Sequence, residues 1–155
     1  MELDTLVKEL NKKIISKGVG LEKLNNNDLT EVERDFVEKY KPEKAIIIYG
    51  SLAPNRPNHS KIEHINGKWL KGIVKGTLVN EGWGAKMGYY AFKHSHSDVP
   101  EIIDAYVLFS DKLVANWSYL DEFEGDGYKR LLAKFELETG EIGVGNIYAL
   151  NDSGF

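Results

Sequence analysis

Three consecutive isoleucines, Ile46-Ile47-Ile48, run straight into Tyr49-Gly50-Ser51-Leu52 and then prolines at 54 and 57. No other stretch restricts the possible folds of this chain as much. Consecutive β-branched residues favour a strand covered on both faces. The run is short for a helix, and the prolines would break one. A buried strand therefore delivers the chain into an irregular loop. Gly50 can take backbone angles closed to other residues, and it leaves no side chain in the way of a ligand. Loop amides there can point at an anion, as in a nest. The plainer alternative is a core strand followed by a surface turn.

Before this strand, Leu3, Leu6, Val7, Leu10 and Ile14 fall at helical spacing, so residues 3–16 read as an amphipathic helix stopped at Gly18. Residues 18–30 read as a linker. Thr30 and Glu33 have the spacing of a capping box, and Val32, Phe36, Val37 and Tyr40 form a second apolar stripe closed by Pro42. Both helices need a surface to cover. Docking on the rest of the chain is the default expectation, and a helical dimer arm is the alternative.

After the loop, the pattern turns to strands. Residues 68–80 carry glycines at 72 and 76 of the kind that mark bulges or barrel corners. Residues 87–92 are an aromatic strand candidate, and 101–109 form another strand. Ser110 or Asp111 is placed to cap a helix running to about Glu124, with Leu113, Val114, Trp117 and Leu120 on one face. Gly125-Asp126-Gly127 ends it. Residues 130–138 and 141–150 alternate as a final hairpin. Many short strands with few helices predict an α+β fold: a small, mostly antiparallel β-barrel with flanking helices and an N-terminal helical extension. The expected division is 1–42 for the extension and 43–155 for the barrel domain. A chain of 155 residues suits that size.

Glu124 stands out as a titratable group. It follows Trp117 by seven positions and Leu120 by four, which places it on the apolar face of its helix. It also sits in the last turn, where the helix dipole disfavours an anion. Both effects raise a carboxyl pKa and suit it to proton transfer near neutral pH. The alternative is a helix that frays at Asp121 and leaves Glu124 in water.

Taken together, Tyr49-Gly50-Ser51-Leu52 after a buried strand, Leu120-Asp121-Glu122-Phe123-Glu124-Gly125 and Tyr128-Lys129-Arg130 resemble the gamma-glutamylcyclotransferase-like family, which includes AIG2-like proteins. Asn58-His59, Gly72-Ile73-Val74-Lys75-Gly76 and Gly88-Tyr89-Tyr90 fit the same pattern. The resemblance covers Lys44 to Leu150 and leaves residues 1–42 outside. It implies a small β-barrel with flanking helices, in which Glu124 is the catalytic glutamate. It makes Tyr49, Gly50, Ser51 and Leu52 the substrate-binding loop and Tyr128 a pocket tyrosine. The implied activity is a cyclotransferase or lyase reaction: a gamma-glutamyl compound closes on itself to give 5-oxoproline and an amine or amino acid. The attack is intramolecular, so no serine or cysteine nucleophile, metal or cofactor is called for. A non-catalytic barrel that binds a small metabolite is the rival reading.

Composition bears on partners. The chain has no cysteine, a net charge of −4 and interspersed Lys and Glu, which argues against a nucleic-acid interface. No apolar run approaches the ~20 residues of a membrane span, and Met1-Glu2-Leu3-Asp4 does not read as a signal peptide. The expected partner is a small gamma-glutamyl molecule, with no nucleic acid and no membrane, and the expected location is cytoplasmic. His59, His64, His94 and His96 raise a metal-hydrolase reading, but no ordered carboxylate partner accompanies them, so no metal is expected. Trp69, Trp83, Tyr89, Tyr90 and Phe92 suit a pocket lining or a core equally well.

Overall fold

The computed structural model describes residues 2–50, 52–56, 58–79, 91–94 and 100–150. Its centre is a closed barrel of five strands: β1 (Ala45–Ile48), β2 (Lys68–Val79), β4 (Glu101–Phe109), β5 (Tyr128–Leu137) and β6 (Ile142–Leu150). A short strand β3 (Ala91–Lys93) pairs with the far end of β2 and touches β6 at Ala149. Around the barrel the order is β1-β4-β2-β5-β6, and β6 returns to β1. All of these pairings are antiparallel except β1 with β6. The isoleucine run is buried at every position, as a strand with neighbours on both edges and cover on both faces requires. Of the aromatic stretch at 87–92, residues 91 and 92 lie in β3 and the rest falls outside the described residues.

Alternation sorts the isoleucines between two cores. Ile47 points into the barrel with Val74, Phe92, Val107, Leu131 and Phe135. Ile46 and Ile48 point outward, beneath Leu113, Trp117 and Leu120 of helix α3 (Leu113–Glu124) and beneath Leu52, Ile62 and Ile65 of the segment after β1. At Gly72, a β-carbon would come within 2.5 Å of the Glu136 carbonyl oxygen. Only glycine lets β2 approach β5 that closely and close the barrel.

Helices α1 (Leu3–Lys17) and α2 (Glu31–Tyr40) form as their stripes predict. Gly18 stops α1 with a φ of 69°, and its amide bonds the Ile14 and Ile15 carbonyls. The Thr30–Glu33 capping box is present. Two details differ from expectation. Lys41, at a φ of 47°, terminates α2 one residue before Pro42. Ser110 serves α3 from further out: its hydroxyl accepts the Lys112 amide at 3.1 Å, while Asp111 plays no part in the cap and instead pairs with Lys44 at 3.1 Å. The segment between α1 and α2, expected as a linker or loose turn, contains two short 3₁₀ turns, the second closed by a capping box between Asn25 and Asp28.

The N-terminal helices share the barrel's core. Leu6, Leu10, Ile14 and Phe36 are buried with the barrel residues, and Tyr40 packs beside them. One polar contact fixes this docking. β2 meets β5 only near its end, at Phe135–Leu137, so the earlier outer edge of β5 needs other partners for its backbone. Asn11, with no exposed surface, supplies both: its amide donates to the Leu132 carbonyl at 2.9 Å and its side-chain oxygen accepts the Leu132 amide at 2.7 Å. Asn11→Ala strips both bonds and leaves a buried backbone amide unpaired, a loss of about 2–3 kcal/mol. Chemical denaturation is expected to show that loss with an unchanged slope. Among the described residues no helix is long and apolar enough to cross a membrane.

Candidate active site

The site forms at the barrel end where β1 stops. After Ile48 the chain leaves the sheet at Tyr49, and Gly50 and Leu52 enter a turn closed by the Ala53 amide on the Gly50 carbonyl. The Tyr49 hydroxyl crosses the barrel end, donating to the Tyr148 carbonyl of β6 and accepting the Phe92 amide of β3, both at 2.8 Å. That pins the start of the loop to two strands. Burial pushes the Tyr49 phenol well above its usual range, with the nearby charge of Glu124 adding to the effect. Leu52 is buried in the outer core, and its carbonyl meets His59 Nδ1 at 2.9 Å. Ser51 lies outside the described residues.

Gly50 does not use the backbone freedom open to glycine: its φ is not positive, and a β-carbon placed on it meets nothing within 4 Å. The loop's own geometry therefore does not demand glycine there.

Helix α3 carries Glu124 as its last residue. Gly125 ends the helix at a φ of 81°, and its amide bonds the Asp121 carbonyl at 3.0 Å. That positive φ favours glycine, and it turns the chain so that β5 begins at Tyr128. The helix therefore does not fray at Asp121. Glu124 is half-buried on the side of Trp117 and Leu120. Burial, then the negative charge of Asp121 one turn earlier, pushes its carboxyl from 4.5 up to about 7. Tyr128, half-buried at the start of β5, packs against the outer core and influences the Tyr49 phenol. Glu124, Tyr49, Leu52 and Tyr128 therefore gather at one end of the barrel.

The sequence reading assigned no role to a polar cluster directly beneath. Arg130, on β5, is almost wholly buried. Its Nε donates to Asp121 Oδ1 at 2.8 Å, and it donates to both Glu22 carboxylate oxygens at 2.9 and 3.0 Å. A further bond reaches Asn146 Oδ1 at 3.1 Å, and the guanidinium lies 4.3 Å from the Trp117 ring centre. The Tyr148 hydroxyl donates to Asp121 Oδ1 at 2.7 Å. Burial and then Asp121 hold the Tyr148 phenol protonated far above its usual range. Asp121 is thus fixed by two donors, which fixes the charge beside Glu124. Arg130 shares its strand with Lys129, Lys134 and Glu136, so its charge alone gave no sign in the sequence of this cluster.

The histidines sit apart from one another. His59 packs on Trp69, His64 packs on Tyr119, and His94 Nε2 meets the Leu132 carbonyl at 2.9 Å. His96 lies outside the described residues, as do Trp83, Tyr89 and Tyr90. Trp69 packs with the outer core, and Phe92 is fully buried inside the barrel.

No family model matches the sequence, and no curated protein matches it. Solved structures do match. YkqA from Bacillus subtilis superimposes with a TM-score of 0.52 at 22% identity, over 71% of this chain and 36% of that one. A protein of Arabidopsis thaliana gives 0.52 at 16%, over 72% and 64%. The solution structure of A2LD1, an AIG2-like protein, gives 0.50 at 17%, over 70% and 79%. The chain thus spans about a third of the length of YkqA and just under two thirds of the Arabidopsis protein. At these identities the likeness is one of architecture: a closed mixed barrel with flanking helices, which is the gamma-glutamylcyclotransferase-like fold.

Proposed function

We propose that this protein is a gamma-glutamyl cyclotransferase in which Glu124 moves the protons. The observation that carries this reading is a carboxyl group raised to about 7 at the end of the barrel, beside the Tyr49–Leu52 loop. A group with that pKa is divided between acid and base at neutral pH, as proton shuttling requires.

The reaction uses the substrate's own nucleophile. Ionised Glu124 takes a proton from the α-ammonium group. The freed amine attacks the γ-carbonyl carbon, forming the C–N bond of a five-membered ring. The tetrahedral intermediate collapses as the bond to the leaving nitrogen breaks, and that nitrogen receives the proton Glu124 holds. Glu124, ionised again, takes the second proton from the ring nitrogen and passes it to the released amine. 5-Oxoproline and an ammonium form of the amine or amino acid depart, and Glu124 is again ionised. The site's main contribution is to hold a bent conformer with amine and carbonyl in contact. Amides of the Tyr49–Leu52 loop are suited to the α-carboxylate or to the developing oxyanion. Tyr128 is suited to forming a wall of the pocket. Tyr49 and Tyr148, both held protonated, add no competing base.

Gly50→Val tests the loop. A side chain at this position meets open space in the free protein, so the melting temperature is expected to stay close to wild type. The branched side chain obstructs the ligand's approach, so KM for a gamma-glutamyl substrate is expected to rise by roughly tenfold or more, the cost of one unfavourable contact of about 1.4 kcal/mol. Steady-state kinetics on the folded variant check it. The activity itself is tested by incubating the protein with a panel of gamma-glutamyl amines, amino acids and dipeptides and assaying 5-oxoproline. Release from at least one class is expected. Tight binding of a panel member without turnover points instead to a non-catalytic barrel.

A further inference from the structure

Glu22 lies outside the barrel, in the turn that follows α1, yet its side chain is only 8% exposed because it reaches Arg130. Arg130 in turn holds Asp121, and Asp121 stands one helical turn before Glu124. The chain of contacts runs without a gap from the N-terminal extension to the candidate acid–base group. We propose that Glu22 is a positioning residue of this site: through Arg130 it fixes Asp121 beside Glu124, and its charge helps set the pH at which Glu124 exchanges its proton. The inference rests on the reading of Glu124 as the proton-transferring group.

The sign follows from the charges facing each group. Glu124 is influenced by Asp121 on its own helix and interacts with Tyr49 after β1 and Tyr148 on β6, while Tyr128 and Arg130 lie nearby on β5. Both tyrosines whose phenols are raised remain neutral at working pH, so the charge of Asp121 dominates, and Arg130, bonded to Asp121, offsets it. Arg130 shares its positive charge between Asp121 and Glu22, with Asn146 Oδ1 and the Trp117 ring completing its surroundings. Lys23, Asp126 and Lys129 line the adjoining cleft of about 580 Å³ between the extension and the end of α3. Removing the Glu22 charge leaves Arg130 less neutralised, and the potential at Glu124 becomes more positive. The ionised form of Glu124 is then favoured and its pKa falls.

A carboxyl titration reads this without relying on turnover. The protein is labelled with ¹³C at glutamate side chains, and the Glu124 signal is assigned as the one Glu124→Gln lacks. In Glu22→Gln the Glu124 midpoint is expected about half a pH unit below wild type, the order of effect of one partly screened charge acting through the Arg130–Asp121 pair. Glu22→Asp keeps the charge and is expected to return the midpoint toward wild type. Glu22→Ala is the second charge-removing variant: Glu22 lines the cleft, so water can hydrate the guanidinium if Glu22→Gln folds poorly, and the same downward shift is expected. A purely structural role lowers stability and leaves the midpoint where it was, and that result overturns the proposal. A shifted midpoint in a protein that releases no 5-oxoproline upholds the coupling and refutes the cyclotransferase reading. Release of 5-oxoproline with an unmoved midpoint does the reverse.

Discussion

Glu124→Gln is expected to lose at least ~10²-fold in kcat, the lower end for deleting a general acid–base group, while folding normally. Glutamine is nearly isosteric, so the packing near Trp117 and Leu120 survives, but it cannot accept the ammonium proton. Substrate should still bind, leaving KM little changed. The same variant carries a stability signature. In wild type the carboxyl titrates near 4.5 when unfolded and near 7 when folded, so between those values the native state binds more protons than the unfolded state. Wild-type stability relative to Glu124→Gln therefore falls as pH rises from 4.5 to 7 and is level above 7. The fall is about 2 kcal/mol, below the full linkage figure because the carboxyl is partly exposed. Paired melts at pH 4 and pH 8 check it. A stability difference that does not depend on pH would show that Glu124 titrates like a solvated glutamate.

Arg130→Met is the second large effect, this time on the fold. It leaves Glu22 buried without its partner, and removing one member of a buried ion pair costs about 3–5 kcal/mol. Asp121, with its side chain 45% exposed, adds little because water can reach it. The double variant Glu22→Leu/Arg130→Met should recover most of the stability, since an apolar pair of similar volume replaces the ion pair. Denaturant titrations of the three proteins measure this. Recovery in the double variant would show that the single variant's loss comes from the stranded carboxylate and not from the lost packing on Trp117.

What the sequence made legible was what local rules govern. The Ile46–Ile48 strand, the Gly18 stop, the Thr30–Glu33 box and the Gly125 end of α3 each depend on neighbours within a few positions, and each appears in the fold. The spacing from Trp117 and Leu120 likewise placed Glu124 on the inner side of its helix. The long-range polar contacts had no such signal. Asn11 lies 121 positions from Leu132, and Glu22 lies 108 from Arg130. In sequence, Asn11 looks like a polar break in a helix stripe and Glu22 like an ordinary linker charge. Only the barrel's closure, which among the described residues pairs that edge of β5 with β2 at Phe135–Leu137 and not at Leu132, gives Asn11 its role. Gly50 is a different case: a glycine after a strand is compatible with many turns, and this turn does not use the freedom glycine has.

In the proposed reaction the substrate's own amine, not water, attacks the γ-carbonyl. The direct measurement is the reaction of a gamma-glutamyl compound in ¹⁸O-labelled water, with products identified by mass spectrometry. The account predicts unlabelled 5-oxoproline and free amine in equal amounts, and no reaction of the N-acetylated compound, whose blocked nitrogen cannot close the ring. Glutamate from the free compound, or N-acetylglutamate from the blocked one, carrying ¹⁸O in its γ-carboxylate would mean that water is the nucleophile and would contradict it.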